Sequence, residues 1–341
     1  MLVERLWYER SAVAAAGRVA LTPLSWLFGA GVRLRNTLYD AGRLHSSAAA
    51  IPVASVGNLT VGGTGKTPFV AFLANRLKAA GGTPAIVMRG FGDDEWRTYE
   101  QLSPGVAVVV DPDRVSGVAR AVADGADVAI LDDAFQHRRI KRDADLVLLS
   151  ADRELEAMPL LPAGPRREPF SALRRASLAV VVRKAADQSA AQTLLNRVQR
   201  AHPNLAAAVI ALLPDGVASW TSGLKTNLDA LGDKRVLAVS AIGDPVAFLH
   251  QVKPLVASVE PLAFRDHHRY TADDVATIAA RAGSFDMVVC TLKDAVKLGP
   301  LWPRQGTELW YVCQRLEVDW GAAEIDRMLA RLLDLRHLNR Q

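Results

Sequence analysis

The sequence predicts an α/β fold: a doubly wound, mainly parallel sheet with a second, smaller α/β domain behind it. Three observations carry this. Short runs that are apolar on both faces alternate with helix-like segments, as in a parallel sheet covered by helices on each side. A glycine-rich stretch, Gly57 to Thr67, lies between the first of these runs and an amphipathic helix. After a polar, alanine-rich stretch the apolar runs begin again, which suggests a second sheet.

The elements follow in order. Val19 to Val32 is an apolar run bounded by Arg18 and by Arg33 and Arg35, with Trp7, Tyr8, Trp26 and Phe28 nearby. It is too short to cross ~30 Å of hydrocarbon, and Pro23, Gly29 and Gly31 weaken it. No small-residue cleavage site follows, which argues against a signal peptide. Two readings remain: a helix at about residues 11–33 lying in a membrane interface, or a helix packed on its own domain; aromatics among arginines favour the first.

Ile51 to Val56 is the first strand, and Phe69, Leu73 and Leu77 mark the helix after the glycine-rich stretch. Further strands are expected at Pro84–Met88, Val106–Val110, Val128–Leu131, Leu146–Leu149 and Leu178–Val182, then a helix at Ala185–Asn204. The second sheet is expected from Val236–Ile242, Val256–Phe264, Met287–Thr291 and Leu309–Val312, with a helix whose N-cap Thr271 faces Asp274 in a capping box. Domains are therefore placed at 1–200 and 205–341.

The chain has 341 residues, half of them hydrophobic, with a net charge of +5 and a pI near 9.3. That is enough for two cores, and the basic excess suits anionic partners such as phosphorylated lipid, an acidic bilayer or nucleic acid. No base-reading motif accompanies the charge, so nucleic acid is not expected as a partner. The two cysteines, Cys290 and Cys313, form no C-x-x-C pair and read as small buried hydrophobes.

The stretch Thr60-Val61-Gly62-Gly63-Thr64-Gly65-Lys66-Thr67 is a phosphate-binding loop. Its glycines let several backbone N–H groups point at one anion, and the helix N-terminus adds partial positive charge. Lys66 can reach the β- and γ-phosphates of a nucleoside triphosphate, and the Thr67 hydroxyl can ligate Mg²⁺. The fold is thus of the P-loop NTPase type. Val128 to Leu131 then delivers Asp132 and Asp133 at a strand end, the layout of a carboxylate pair that holds Mg²⁺ beside the loop. Arg138, Arg139, Lys141 and Arg142 follow; they could bind phosphate or simply form a solvated face.

Several blocks now carry a resemblance: Val56 to Pro68, Arg89-Gly90-Phe91-Gly92, Pro112-Asp113-Arg114, Leu131 to His137, Leu161 to Pro169, Ile242 to Pro245, Asp266-His267-His268 with Tyr270, and Thr291 to Leu298. In this order, across nearly the whole chain, they resemble the tetraacyldisaccharide 4'-kinase family. In that family Thr60 in place of the usual first glycine is the ordinary pattern. The resemblance implies transfer of the ATP γ-phosphoryl group, with Mg²⁺, to the 4'-hydroxyl of a tetraacyldisaccharide 1-phosphate, giving lipid IVA. It implies work at the cytoplasmic face of the inner membrane. It also implies an Asp–His pair that helps deprotonate the hydroxyl: His267, and Asp94 within Asp93-Asp94-Glu95. Asp93 competes for the aspartate role because the segment after Gly92 is short. Lys66 completes the catalytic set. The alternative class is a membrane-associated P-loop switch with no small-molecule acceptor. An Asn-Lys-x-Asp guanine-reading motif, which would favour it, is absent.

Overall fold

The computed structural model describes residues 6–9, 11–90, 95–153 and 158–338. Asp93 and Asp94 lie outside them.

Helix α1 (Ala12–Asp40) opens the chain, capped by Ser11, whose hydroxyl accepts the Ala14 N–H. At 29 residues it outruns the apolar stretch expected, and it is long and apolar enough, by length and composition, to cross a membrane. Its buried positions are small or polar: Ala14, Ser25, Gly29 and Asn36. They lean on the loop after residue 158, where Ser25 Oγ donates to Leu160 O and accepts the Ala163 N–H. The large apolar side chains point the other way, and Trp26 is 71% and Leu27 70% exposed.

The first half then builds strands β1 (Val53–Asn58), β2 (Pro84–Met88), β3 (Ala107–Val110), β4 (Val128–Asp132), β5 (Ala144–Ser150) and β6 (Leu178–Arg183). Between them run α2 (Lys66–Ala79), α3 (Glu95–Leu102) and α4 (Arg114–Ala123), with α5 (Gln188–Ala201) after β6. The six strands are parallel in the order β3-β2-β4-β1-β5-β6. All of β1 and β2 is buried, as apolarity on both faces requires. Helices cover both faces, with Phe69, Leu73 and Leu77 of α2 on one and Val118 and Ala121 of α4 on the other.

The expected second sheet is continuous with the first. A long strand, β7 (Ala206–Ser219), joins them. Its first six residues pair in parallel with β6, and Val209 onward pairs antiparallel with β12 (Leu309–Trp320). Strand β8 (Lys225–Thr226) adds to β7, and β11 (Met287–Thr291), β9 (Arg235–Ser240) and β10 (Ser258–Ala263) line up beyond β12. The result is one 12-stranded mixed sheet. The join is hard to read in sequence because Pro214-Asp215-Gly216 looks like a turn. Here those residues sit inside the strand, at a break in register between Val312 and Gln314 of β12.

This join positions the site. Strands β9 to β11 run opposite to those of the first half, and β7 extends beyond the carboxyl end of β6. The carboxyl ends of the two halves therefore face each other across a cleft.

Helices α6 (Pro245–Val252), α7 (Ala272–Ala282) and α8 (Leu292–Leu298) cover the second half. The capping box of α7 forms as expected between Thr271 and Asp274. The last helix, α9 (Ala322–Leu338), packs Ile325, Leu329 and Leu332 into the core of the first half, so this part of the 205–341 segment lies with the nucleotide side. Cys290 is buried and Cys313 half-buried, both as free thiols.

Candidate active site

The phosphate loop lies between β1 and α2, and its shape is set by contacts from outside it. Gly65 caps α2 with φ +83°, a left-handed conformation that glycine adopts without strain. Asn58 Nδ2 donates to Thr64 Oγ1 inside the loop, and Gln136 Nε2 donates to Asn58 O. The Leu161–Pro169 block braces the other side: Val61 N–H donates to Pro165 O, and Arg167 N–H to Leu59 O. In the sequence this block stands out only by its resemblance. Its work here is to hold the loop.

Asp132 and Asp133 arrive together at the end of β4, the strand beside β1. Asp133 takes φ +48°, which turns its carboxylate back toward the loop. Arg167 Nη1 contacts both of its oxygens at 3.0 and 2.9 Å, and Lys66 Nζ lies 3.5 Å away. Burial would raise the Asp133 pKa, but Lys66 and Arg167 outweigh it and hold it down at about 2. Asp132 moves the other way, pushed up mainly by burial and then by Asp133. Its Oδ1 is buried with no hydrogen-bond partner, while Arg114, itself buried, donates to its backbone carbonyl. An unpartnered buried carboxylate oxygen beside a phosphate loop is what a divalent cation would satisfy. Among the described residues no cluster of three or more His, Cys, Asp or Glu could hold a metal alone. Mg²⁺ needs none, since it takes one or two carboxylates together with phosphate oxygens and water.

The opposite wall belongs to the second half. His267 follows β10 with φ +57°, its N–H donating to Ala241 O. Its Nδ1 lies 3.1 Å from Glu95 Oε1, at the start of α3 in the first half, and its Nε2 lies 3.7 Å from Asp266. Glu95 has its pKa lowered: burial raises it, but His267 and the charge of Lys293 prevail. The described partner of His267 from the first half is thus Glu95, next along the chain from Asp94. His268 turns away from His267 onto Asp274, at 2.9 Å.

Farther along the cleft, Gly243 packs directly on the phosphate loop; a Cβ there would come within 2.7 Å of Gly63 N. Asp244 beside it is bonded by Arg153 at 3.0 Å and by Lys184, which also donates to Gly63 O. The basic run after Asp133 is largely spent on ion pairs. Arg138 binds Asp40 at 2.7 Å and Arg142 binds Asp145 at 3.0 Å. Glu95, Arg167, Arg114 and Lys293 were not singled out as site residues from sequence, although each except Glu95 sits in one of the quoted blocks, and Glu95 follows Asp94 directly.

A phosphate loop and a strand-end carboxylate pair in the first half, with a histidine–carboxylate pair bridging the cleft to the second, describe a phosphotransferase. The sequence model of the tetraacyldisaccharide-1-P 4'-kinase family matches residues 17–105 and 94–334. The chain belongs to this family. Among relatives named tetraacyldisaccharide 4'-kinase, one from Anaeromyxobacter sp. is 37% identical, with 88% of each chain covered. One from Halorhodospira halophila is 35% identical over 97% of this chain and 98% of its own. A crystal structure of LpxK from Aquifex aeolicus in complex with ATP superposes with a TM-score of 0.70 at 26% identity, covering 92% of this chain and 99% of that one.

Proposed function

We propose that this protein transfers the γ-phosphoryl group of ATP to the 4'-hydroxyl of a tetraacyldisaccharide 1-phosphate, giving lipid IVA. The observation that carries it is His267 of the second half meeting Glu95 of the first at 3.1 Å, in a cleft whose first-half wall holds Lys66 beside Asp133. A switch without an acceptor has no need of a histidine–carboxylate pair opposite its phosphate loop.

Residues Thr60 to Thr67 cradle the phosphates with backbone N–H groups, and Lys66 neutralises charge on the β- and γ-phosphates. Thr67, Asp132 and Asp133 would hold Mg²⁺. When bound, the ion would supply charge neutralisation on the transferring phosphates. The acceptor oxygen forms a bond to the γ-phosphorus as the bond to the β–γ bridging oxygen breaks. The hydroxyl proton passes to the base, which we assign to Asp94 oriented by His267. Asp94 precedes Glu95 directly, so the Glu95–His267 contact supports this assignment.

The four acyl chains keep the acceptor in a bilayer, since each buried CH₂ contributes about 0.8 kcal/mol. We read α1 as the element that brings the enzyme to the cytoplasmic face of the inner membrane, with its small and polar side on the protein and Val19, Trp26 and Leu27 on the lipid. We further read residues 1–200 as the nucleotide domain and 205–341 as the domain that closes over the site, with α9 anchored back on the first.

The test is incubation of the purified protein with ATP, Mg²⁺ and the disaccharide 1-phosphate in detergent. Mass spectrometry should find one added phosphoryl group on the lipid. ATP consumption with unchanged lipid would favour the switch reading instead.

A further inference from the structure

Lys293 stands at the start of α8, directly after β11, whose carboxyl end faces the first half. Its Nζ lies 3.9 Å from Glu95 Oε1, the same oxygen that His267 Nδ1 contacts at 3.1 Å. Its side chain is 38% exposed, so the head group borders open cleft rather than packed protein. Its charge also reaches Asp132, where it acts with Lys66 against the burial of that carboxylate.

The backbone under Lys293 is held firmly. The next residue, Asp294, is fully buried, and its Oδ1 accepts the Ala241 N–H at 3.0 Å and the Tyr270 hydroxyl at 3.1 Å. Its Oδ2 accepts the Thr291 hydroxyl at 2.7 Å, and Thr291 Oγ1 in turn accepts the Asp294 N–H. Ala241 O receives the His267 N–H, so one buried carboxylate fixes both the His267 loop and the root of Lys293. An anchored backbone with a flexible four-carbon stem lets the ammonium swing over a few ångströms without losing its direction.

The chemistry has a place for such a cation. In phosphoryl transfer, charge is spread over three equatorial oxygens of the moving group, and catalysis is mostly positioning and neutralisation. Lys66 and Arg167 both stand against Asp133, so their charge is partly offset by that carboxylate. Both approach from the first-half wall, whereas Lys293 approaches from the opposite one.

We propose that Lys293 is a catalytic residue, whose ammonium leaves Glu95 to contact the equatorial oxygens of the γ-phosphoryl group during transfer. The proposal rests on the kinase reading above. Lys293 stays protonated throughout. The new bond runs from the acceptor oxygen to phosphorus, the electron pair of the broken β–γ bond leaves on ADP, and the proton goes to the base.

Lys293→Ala should lower kcat by roughly 10²–10³, within the range for losing a cation or donor at developing charge, and leave the KM for ATP within about threefold. Lys293→Arg should recover at least about tenfold of that loss, because it restores charge with similar reach. Equilibrium binding separates catalysis from bracing: ADP should bind Lys293→Ala as it binds wild type, whereas ADP with tetrafluoroaluminate, a mimic of the moving phosphoryl group, should lose about tenfold or more. If Lys293→Ala is unstable, Lys293→Gln, which keeps most of the length, takes its place in both measurements. A kcat within threefold of wild type would overturn the proposal. So would an arginine variant no better than alanine, or equal weakening of ADP and the mimic, which would mean that Lys293 only braces Glu95. Wild-type protein that transfers no phosphoryl group would count against the kinase reading itself, not against this assignment alone.

Discussion

At the scale of single residues, the site is governed by where charge is allowed to sit. Lys66 is the residue whose position the loop exists to define, so Lys66→Ala should abolish transfer and leave the melting temperature close to wild type. Near-normal turnover in a folded variant would remove the phosphate-loop assignment. Asp133 offers a test by pH. Its folded pKa, about 2, lies below the ordinary carboxylate value of 3.8, so its ion pairs add stability above roughly pH 4. That contribution is lost as the pH falls through about 2. Thermal melts between pH 5 and pH 2 should show a steeper acid loss in wild type than in Asp133→Asn, which has no carboxylate to protonate. Parallel curves would show that Arg167 and Lys66 do not stabilise the ionised form.

At the scale of elements, α1 has a packed face and an exposed apolar face, and the two can be tested separately. Asn36 Nδ2 donates to the fully buried Glu168 at 3.1 Å, while Arg175 binds both oxygens of the same carboxylate. Asn36→Ala would strip a donor from a buried charge and should cost about 1–3 kcal/mol, read as a fall in melting temperature. On the other face, replacing exposed Trp26 and Leu27 together by aspartate should leave the melt unchanged and release the protein from liposomes containing anionic lipid. Undiminished co-sedimentation of that double variant would show that the exposed face is not what meets the bilayer. The Leu161–Pro169 block links α1 to the site, because Glu168 faces α1 while neighbouring Arg167 holds Asp133.

Across the whole molecule, the groups we assign to catalysis come from the two halves of one sheet. His267 meets Glu95 only because β7 carries the chain beyond the first half and β12 reverses the direction of the strands that follow. Removing either Asp94 or His267 should lower kcat by ~10²–10⁴ with ATP affinity little changed. The double substitution should cost hardly more than the worse single one, since groups acting as a unit are strongly non-additive. Effects that simply multiply would break the pair, and an inactive Asp93→Ala beside an active Asp94→Ala would move the base by one residue.

What could be read in the sequence by itself was whatever depends on neighbours in the chain. The phosphate loop is legible because strand, glycines, lysine and helix lie within a short stretch, and the parallel strands are legible because burial on both faces demands unbroken apolar runs. The Asp132-Asp133 pair and the capping box at Thr271 are local in the same sense. Tertiary structure decided the rest. Strand β7 hides behind an alanine-rich start and a Pro-Asp-Gly that reads as a turn, so the single sheet emerges only from its pairing with both β6 and β12. Glu95, Arg167 and Lys293 carry no local mark, because a charged side chain looks the same on a solvated face as in a cleft. Their surroundings come from partners far away in sequence: His267 for Glu95, Asp133 for Arg167, and Glu95 for Lys293. The physical reason is range. Backbone propensity and apolar periodicity act over a few residues, whereas an ion pair or a cleft depends on which strands the fold brings side by side.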